Sequence, residues 1–321
     1  MTTINSFRPP WWLPGAHLQT LWPHICRRLP LVQLIDERLE LPDGDFVDLC
    51  WTQKKSDAIV VVLHGLEGCI RSPYVMGIMS AIDQAGWQGV FMHFRGCSGV
   101  HNRRPRSYHS GETGDLNFLL KTLAQRYPGV PLGAVGYSLG ANALLKYLGE
   151  DDNEKHLTAA VAVSVPFLLA IGAERLERGL SRFYQRYLLR RLQHKITSKF
   201  RTMTSPVPLD SIARLNTFRL FDDQITAPLH GFKDVDDYYS RCSSRQFLKN
   251  IKLPTLIIHA ADDPFMTQAA IPASDELAET IQFELSDKGG HVGFINGNLP
   301  WRPNYWLEKR IPEFLQTFMD H

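Results

Sequence analysis

Short, wholly apolar runs recur along the chain. Between them lie stretches whose apolar residues return every three or four positions. Residues 58–63 (AIVVVL), 89–94 (GVFMHF), 132–137, 159–165 (AAVAVSV), 255–259 (TLIIH) and 280–285 are the runs. Their length, β-branching and lack of polar alternation predict strands buried on both faces. Helices are predicted over 74–85, 112–126, 139–148 and 305–319. In the second, Leu116, Leu119, Leu120 and Leu123 share one face, and Pro128-Gly129 follows its end. Residues 32–51 read as a hairpin around Pro42-Asp43-Gly44-Asp45. Strands alternating with helices imply a mainly parallel sheet with helices on both faces, the α/β class.

One stretch, 167–249, breaks this rhythm. Some eighty residues are far more than neighbouring strands need for a connection. A helix is expected over 175–188, with Leu176, Leu180, Phe183, Tyr184 and Tyr187 on one face and Arg175, Arg178, Arg182 and Arg186 on the other. The stretch reads as an inserted helical cap on a single domain spanning 1–321. Open α/β sheets bind ligands at the carboxyl ends of their strands, where such insertions sit.

Charge changes this picture locally. The 321 residues hold 35 Lys+Arg against 33 Asp+Glu, too even for a dedicated nucleic-acid binder. Yet residues 174–199 alone hold eight basic and two acidic residues, leaving 27 basic against 31 acidic elsewhere. A basic cap over a mildly acidic body is thus expected to attract anionic substrates or lipid surfaces. Five scattered cysteines without a CxxC pair predict neither disulfides nor a zinc site. No stretch has the length and apolarity of a signal or membrane helix, so a cytoplasmic protein is expected. HExxH, Walker and GxGxxG signals are missing, so no cofactor or metal is expected. The run Arg103-Arg104-Pro105-Arg106 reads as a solvated loop.

The sharpest chemical signal is Gly136-Tyr137-Ser138-Leu139-Gly140, between an apolar run and an Ala/Leu-rich helix. A serine in such a strand–turn–helix fits a nucleophile elbow, where small flanking residues permit the tight turn. A serine hydroxyl needs a base, and the base needs an orienter. Asp263 is the candidate orienter, three residues past Ala260, with Asp262 capping the turn. His291, in Gly289-Gly290-His291-Val292-Gly293, is the candidate base. His259 lies inside an apolar run and reads as core, while His101, His109 and His230 lie in polar loops without an evident partner. Two backbone N–H groups must face the developing oxyanion. Leu139 follows the serine, and Leu66 lies in His64-Gly65-Leu66-Glu67-Gly68 after the first buried run.

Together these segments resemble a known family. With Gly15-Ala16-His17-Leu18-Gln19-Thr20, Phe94-Arg95-Gly96-Cys97-Ser98-Gly99, Tyr108-His109-Ser110-Gly111-Glu112-Thr113 and Trp306-Leu307-Glu308, the chain resembles the YheT-type branch of the α/β-hydrolases. That branch is related to the eukaryotic alpha/beta-hydrolase-domain proteins one and three and to yeast medium-chain ester synthase/esterases. The resemblance implies an α/β-hydrolase fold, a Ser138–Asp263–His291 charge relay, and hydrolysis of short- to medium-chain carboxylic esters. Acyl transfer or thioester chemistry on the same relay is the rival enzymatic reading. A non-catalytic membrane-associated protein is the rival of another class.

Overall fold

The computed structural model describes residues 2–4, 7–53, 56–150 and 156–319. Among them, nine strands form one sheet: β1 (Thr2–Ile4), β2 (Leu34–Glu40), β3 (Phe46–Thr52), β4 (Ile59–Leu63), β5 (Gln88–Met92), β6 (Leu132–Tyr137), β7 (Ala159–Val163), β8 (Thr255–Ala260) and β9 (Ile281–Ser286). Their order is β1-β9-β8-β7-β6-β4-β5-β3-β2. The pairs β2–β3 and β3–β5 are antiparallel and the other six are parallel. A small ribbon, β10 (Ile295–Leu299) with β11 (Arg302–Tyr305), follows.

Why the apolar runs do not alternate is visible in β4. Ile59, Val61 and Leu63 face one layer of helices, α3 (Gly114–Arg126) and α4 (Leu139–Gly149). Val60 and Val62 face the other, α2 (Pro73–Gln84) and α10 (Leu307–Met319). With both faces covered, every second position is as buried as its neighbour. Each such Val or Leu contributes about 1.5–3 kcal/mol by leaving water. The sheet is therefore a rigid base for loops at its carboxyl edge. Helix α1 (Ala16–Cys26) precedes the β2–β3 hairpin.

Between β7 and β8 the chain forms α5 (Leu169–Leu176), α6 (Ser181–Lys199), α7 (Phe218–Phe221), α8 (Ala227–Leu229) and α9 (Val235–Cys242). These helices share their own apolar cluster, against which Leu66 and Phe265 of the sheet's edge loops also pack. The expected continuous helix over 175–188 is corrected here. It breaks between Leu176 and Ser181, and Gly179 takes φ +56. A left-handed residue ends a helix, and glycine adopts that conformation without steric cost. The face assignment changes too. Leu180, Phe183 and Tyr187 are 59%, 66% and 59% exposed, whereas Ser181, Gln185 and Lys199 are buried. Polar anchors turn α6 this way: Ser181 Oγ donates to Pro264 O at 2.7 Å, and Lys199 Nζ donates to Asn102 Oδ1 at 2.7 Å. Among the described residues, no helix is long and apolar enough to cross a membrane.

Candidate active site

Strand β6 runs into α4 through a single residue, Ser138, at φ 52 and ψ −117. Few non-glycine residues occupy such angles, and they persist only where surroundings enforce them. Here the enforcement is close packing. A Cβ on Gly136 would lie 2.6 Å from Gly140 O, and one on Gly140 would lie 2.6 Å from His64 O. The two glycines of the motif thus let α4 approach both its own strand and the loop after β4.

His291 meets Ser138 from the loop after β9. Its Nε2 is 2.9 Å from Ser138 Oγ, and its Nδ1 is 2.8 Å from Asp263 Oδ2. Asp263 follows β8, and its other oxygen, Oδ1, accepts from Phe265 N at 2.8 Å. Ionised carboxylate oxygens only accept, so Nδ1 carries the ring proton and Nε2 turns a lone pair to the serine hydroxyl. Phe265 stacks on the imidazole at 4.0 Å between ring centres, and Tyr184 of α6 packs on Phe265 in turn. Ser138, Asp263 and His291 therefore stand in one hydrogen-bonded chain.

Leu139 directly follows Ser138, and Leu66 lies in the loop that packs beside it. Leu139 opens α4, where a helix has no acceptor of its own for the N–H. The loop of Leu66 passes so near that a Cβ on Gly65 would be 3.2 Å from Ser138 Cβ. Gly65 N donates to Tyr74 Oη at 2.8 Å and Glu67 N to Tyr108 Oη at 2.8 Å. Among the described residues the N–H of Leu66, between them, makes no hydrogen bond. His64 supports this loop from below. Phe94 N donates to its Nε2 at 3.1 Å, and burial pushes its pKa down to about 3. It is a neutral structural histidine.

In front of Ser138 opens a cleft of about 730 Å³, lined mainly by apolar groups. Leu21 and His24 of α1, Phe183, Tyr187 and Arg191 of α6, and Arg71 contribute to its walls.

A model of the α/β-hydrolase fold family matches residues 58–298. The chain belongs to that family. Among its relatives is the YheT protein of Escherichia coli (strain K12), 46% identical over 95% of this chain and 92% of that one. The phospholipase ABHD3 of Mus musculus is 28% identical over 99% of this chain and 80% of its own length. The esterase Pf2001 of Pyrococcus furiosus superposes over 99% of both chains with a TM-score of 0.57 at 15% identity, a likeness of fold alone.

This α/β-hydrolase also holds its candidate base with residues that local sequence patterns do not flag. Thr20 Oγ1 accepts from His291 N at 2.9 Å, and Ser164 Oγ accepts from Val292 N at 2.9 Å. Gln19 pairs twice with the backbone of Ile295, at 2.8 and 3.0 Å. A Cβ on Gly290 would lie 2.5 Å from Ala16 O. The Gly-Ala-His-Leu-Gln-Thr segment of the resemblance is thus a seat for the histidine loop. The expectation that Asp262 caps its own turn is corrected: Asp263 Oδ1 accepts from Phe265 N within that turn, whereas Asp262 Oδ1 accepts from Gly290 N at 2.9 Å across to the His291 loop. His101, His109 and His230 are not without partners. His101 Nε2 is 3.0 Å from Ser198 Oγ, and the other two accept from Gly111 N and Ser107 N at 3.2 Å. His259 is buried in β8, as expected of a core residue, but its Nδ1 is not satisfied: it has no hydrogen-bond partner among the described residues. The basic run 103–106 is tied down rather than simply solvated: Arg103 pairs with Glu40 and Arg106 with Glu112.

Proposed function

We propose that this protein is a serine-dependent carboxylic ester hydrolase, with Ser138 as nucleophile, His291 as base and Asp263 as orienter. The observation that carries the reading is the hydrogen-bonded chain Ser138–His291–Asp263 at the head of an apolar cleft. His291 Nε2 takes the serine proton as Oγ attacks the acyl carbonyl. The tetrahedral oxyanion is held by the N–H groups of Leu66 and Leu139, worth about 10²–10³ in rate for each donor. The imidazolium then protonates the departing alcohol, leaving an acyl-enzyme. Water, deprotonated by His291, releases the acid and restores the serine. Asp263 stabilises the imidazolium formed in each half-reaction.

We infer likewise that the inserted helices form a cap over the cleft. Leu180, with Phe183 and Tyr187 of α6 and Leu21 of α1, lines the cleft, a wall suited to a short- or medium-chain acyl group. The outer side of α6 carries exposed Arg182, Arg186 and Arg190, a surface suited to anionic lipid. Vesicles of phosphatidylglycerol, but not phosphatidylcholine, should then retain the protein in sedimentation, and equal retention or none overturns the lipid reading.

The deciding experiment is Ser138→Ala. Turnover of p-nitrophenyl esters falls at least about 10³-fold with an unchanged Tm, and a fluorophosphonate probe labels only the wild-type chain. Retained turnover, or a label elsewhere, refutes the assignment. A chain-length series from acetate to dodecanoate then measures the acyl preference.

A further inference from the structure

One buried charged contact joins the inserted helices to the loop after β4 and takes no part in the Ser138–His291–Asp263 chain. Lys195, on α6, places Nζ 2.5 Å from Glu67 Oε1, with side chains only 12% and 4% exposed. Tyr108 completes the arrangement. Its hydroxyl donates to the same Oε1 at 2.9 Å and accepts from Glu67's own backbone N–H at 2.8 Å. Glu67 is thereby clasped by side chain and main chain together.

The clasp acts on a strained residue. Glu67 has φ 54, a left-handed conformation that a non-glycine residue adopts only when its surroundings enforce it. Leu66 immediately precedes it, and on the other side Gly65 N is bound by Tyr74 Oη. With both neighbouring N–H groups tied down, the direction of the Leu66 N–H depends on what keeps Glu67 in place. A distant helix therefore supplies a strut for a single backbone donor.

We infer that Lys195 and Glu67 are positioning residues, whose buried ion pair holds the Leu66 N–H at the oxyanion site and makes the seating of α6 and the assembly of that site one event. The inference rests on the assignment of Ser138 as nucleophile. Removing Lys195 leaves the Glu67 carboxylate buried and uncompensated, which favours a loop movement that exposes it. A displacement of about 1 Å at a transition-state donor costs about 10²-fold in rate.

The test uses Lys195→Met, Glu67→Gln and the double variant in the full chain, with p-nitrophenyl butyrate as substrate. Lys195→Met is expected to lower kcat about 10²-fold with KM changed less than threefold. Adding Glu67→Gln removes the stranded charge and restores at least tenfold of that loss, a coupling that only interacting sites display. The discriminating readout is a trifluoromethyl ketone, whose hemiketal oxyanion occupies the same site. Its Ki rises by the same factor as kcat/KM falls. Unchanged kcat overturns the inference. So does a fall in kcat with an unaltered Ki, because that pattern marks a structural role alone. If Lys195→Met does not yield folded protein, Glu67→Gln gives the same readout with an expected loss of about tenfold. Failure of a fluorophosphonate to label wild-type Ser138 overturns the underlying nucleophile assignment instead, so the two failures are distinguishable.

Discussion

Replacing Asp263 by asparagine changes one oxygen to an amide nitrogen and leaves the shape alone. The carboxylate is fixed at both ends: Oδ1 accepts from Phe265 N at 2.8 Å and Oδ2 receives His291 Nδ1–H at 2.8 Å. Asparagine can meet only one of these as an acceptor. With its oxygen toward Phe265 N, its NH₂ faces His291 Nδ1, and the ring must carry its proton on Nε2. That tautomer presents a donor to Ser138 and cannot take the serine's proton. The flipped amide restores a working ring but sets NH₂ against the N–H of Phe265. A buried donor without an acceptor costs about 1–3 kcal/mol, so the working arrangement is populated about 10- to 10²-fold less. Loss of the negative charge beside the imidazolium adds to this, and the wrong-tautomer limit is about 10⁴. The expected fall in kcat for Asp263→Asn is therefore between about 10²- and 10⁴-fold on p-nitrophenyl butyrate, with Tm lowered by a few degrees at most. Asp262→Asn, which keeps an oxygen for Gly290 N, is expected to stay within about tenfold. If Asp263→Asn retains a tenth of wild-type kcat, or Asp262→Asn is the more damaging, the orienter has been misassigned.

Two further expectations follow from the packing. Thr20→Val keeps the volume but strips His291 N of its acceptor. Stability should drop by about 1–3 kcal/mol in urea unfolding and kcat by about tenfold, and an active, equally stable variant would show that α1 does not seat the base. Burial pushes His64 to about 3 and His259 to about 4, against 6.5 for a free imidazole. The unfolded chain therefore takes up protons below pH 6.5 while these rings stay neutral, so stability declines as pH falls from 6.5 towards 4. Each ring contributes up to about 1.4 kcal/mol per pH unit. His259→Leu should flatten the fall of Tm over that interval, and an unchanged slope would contradict the assignment.

The parts of this protein that are legible in sequence are those whose signal is local. The β4 and β6 runs announce themselves because both faces are buried, and Gly136 to Gly140 because a tight turn demands small residues within five positions. Asp263 and His291 could be proposed from chain order and loop glycines. The remainder depends on contacts between distant segments. Nothing in Gln19 or Thr20 shows that residues some 270 positions later will need an acceptor. Strand β1 pairs with β9 at the far edge of the sheet, beyond what a three-residue segment can signal. Helix α6 departs from its expected pattern for a different reason. Leu180, Phe183 and Tyr187 fall at the spacing of a buried stripe, yet the stripe lines a cleft while Ser181, Gln185 and Lys199 go inward. Periodicity identifies an apolar face without saying whether protein or ligand will cover it.

The seat of His291 on α1 has a consequence for biosynthesis. The elbow around Ser138 can form once the first half of the chain has left the ribosome. Its partner histidine, 271 positions after Thr20, is still unmade, so the residues of α1 lack the loop that they hold in the folded chain. At ordinary elongation rates of about 5–20 residues per second, that delay is on the order of tens of seconds. On the proposed mechanism, a nascent chain therefore carries Ser138 without its base. Activity, on that mechanism, requires the early helix and the late loop to close on one another, so the contact that seats His291 would also time the appearance of activity.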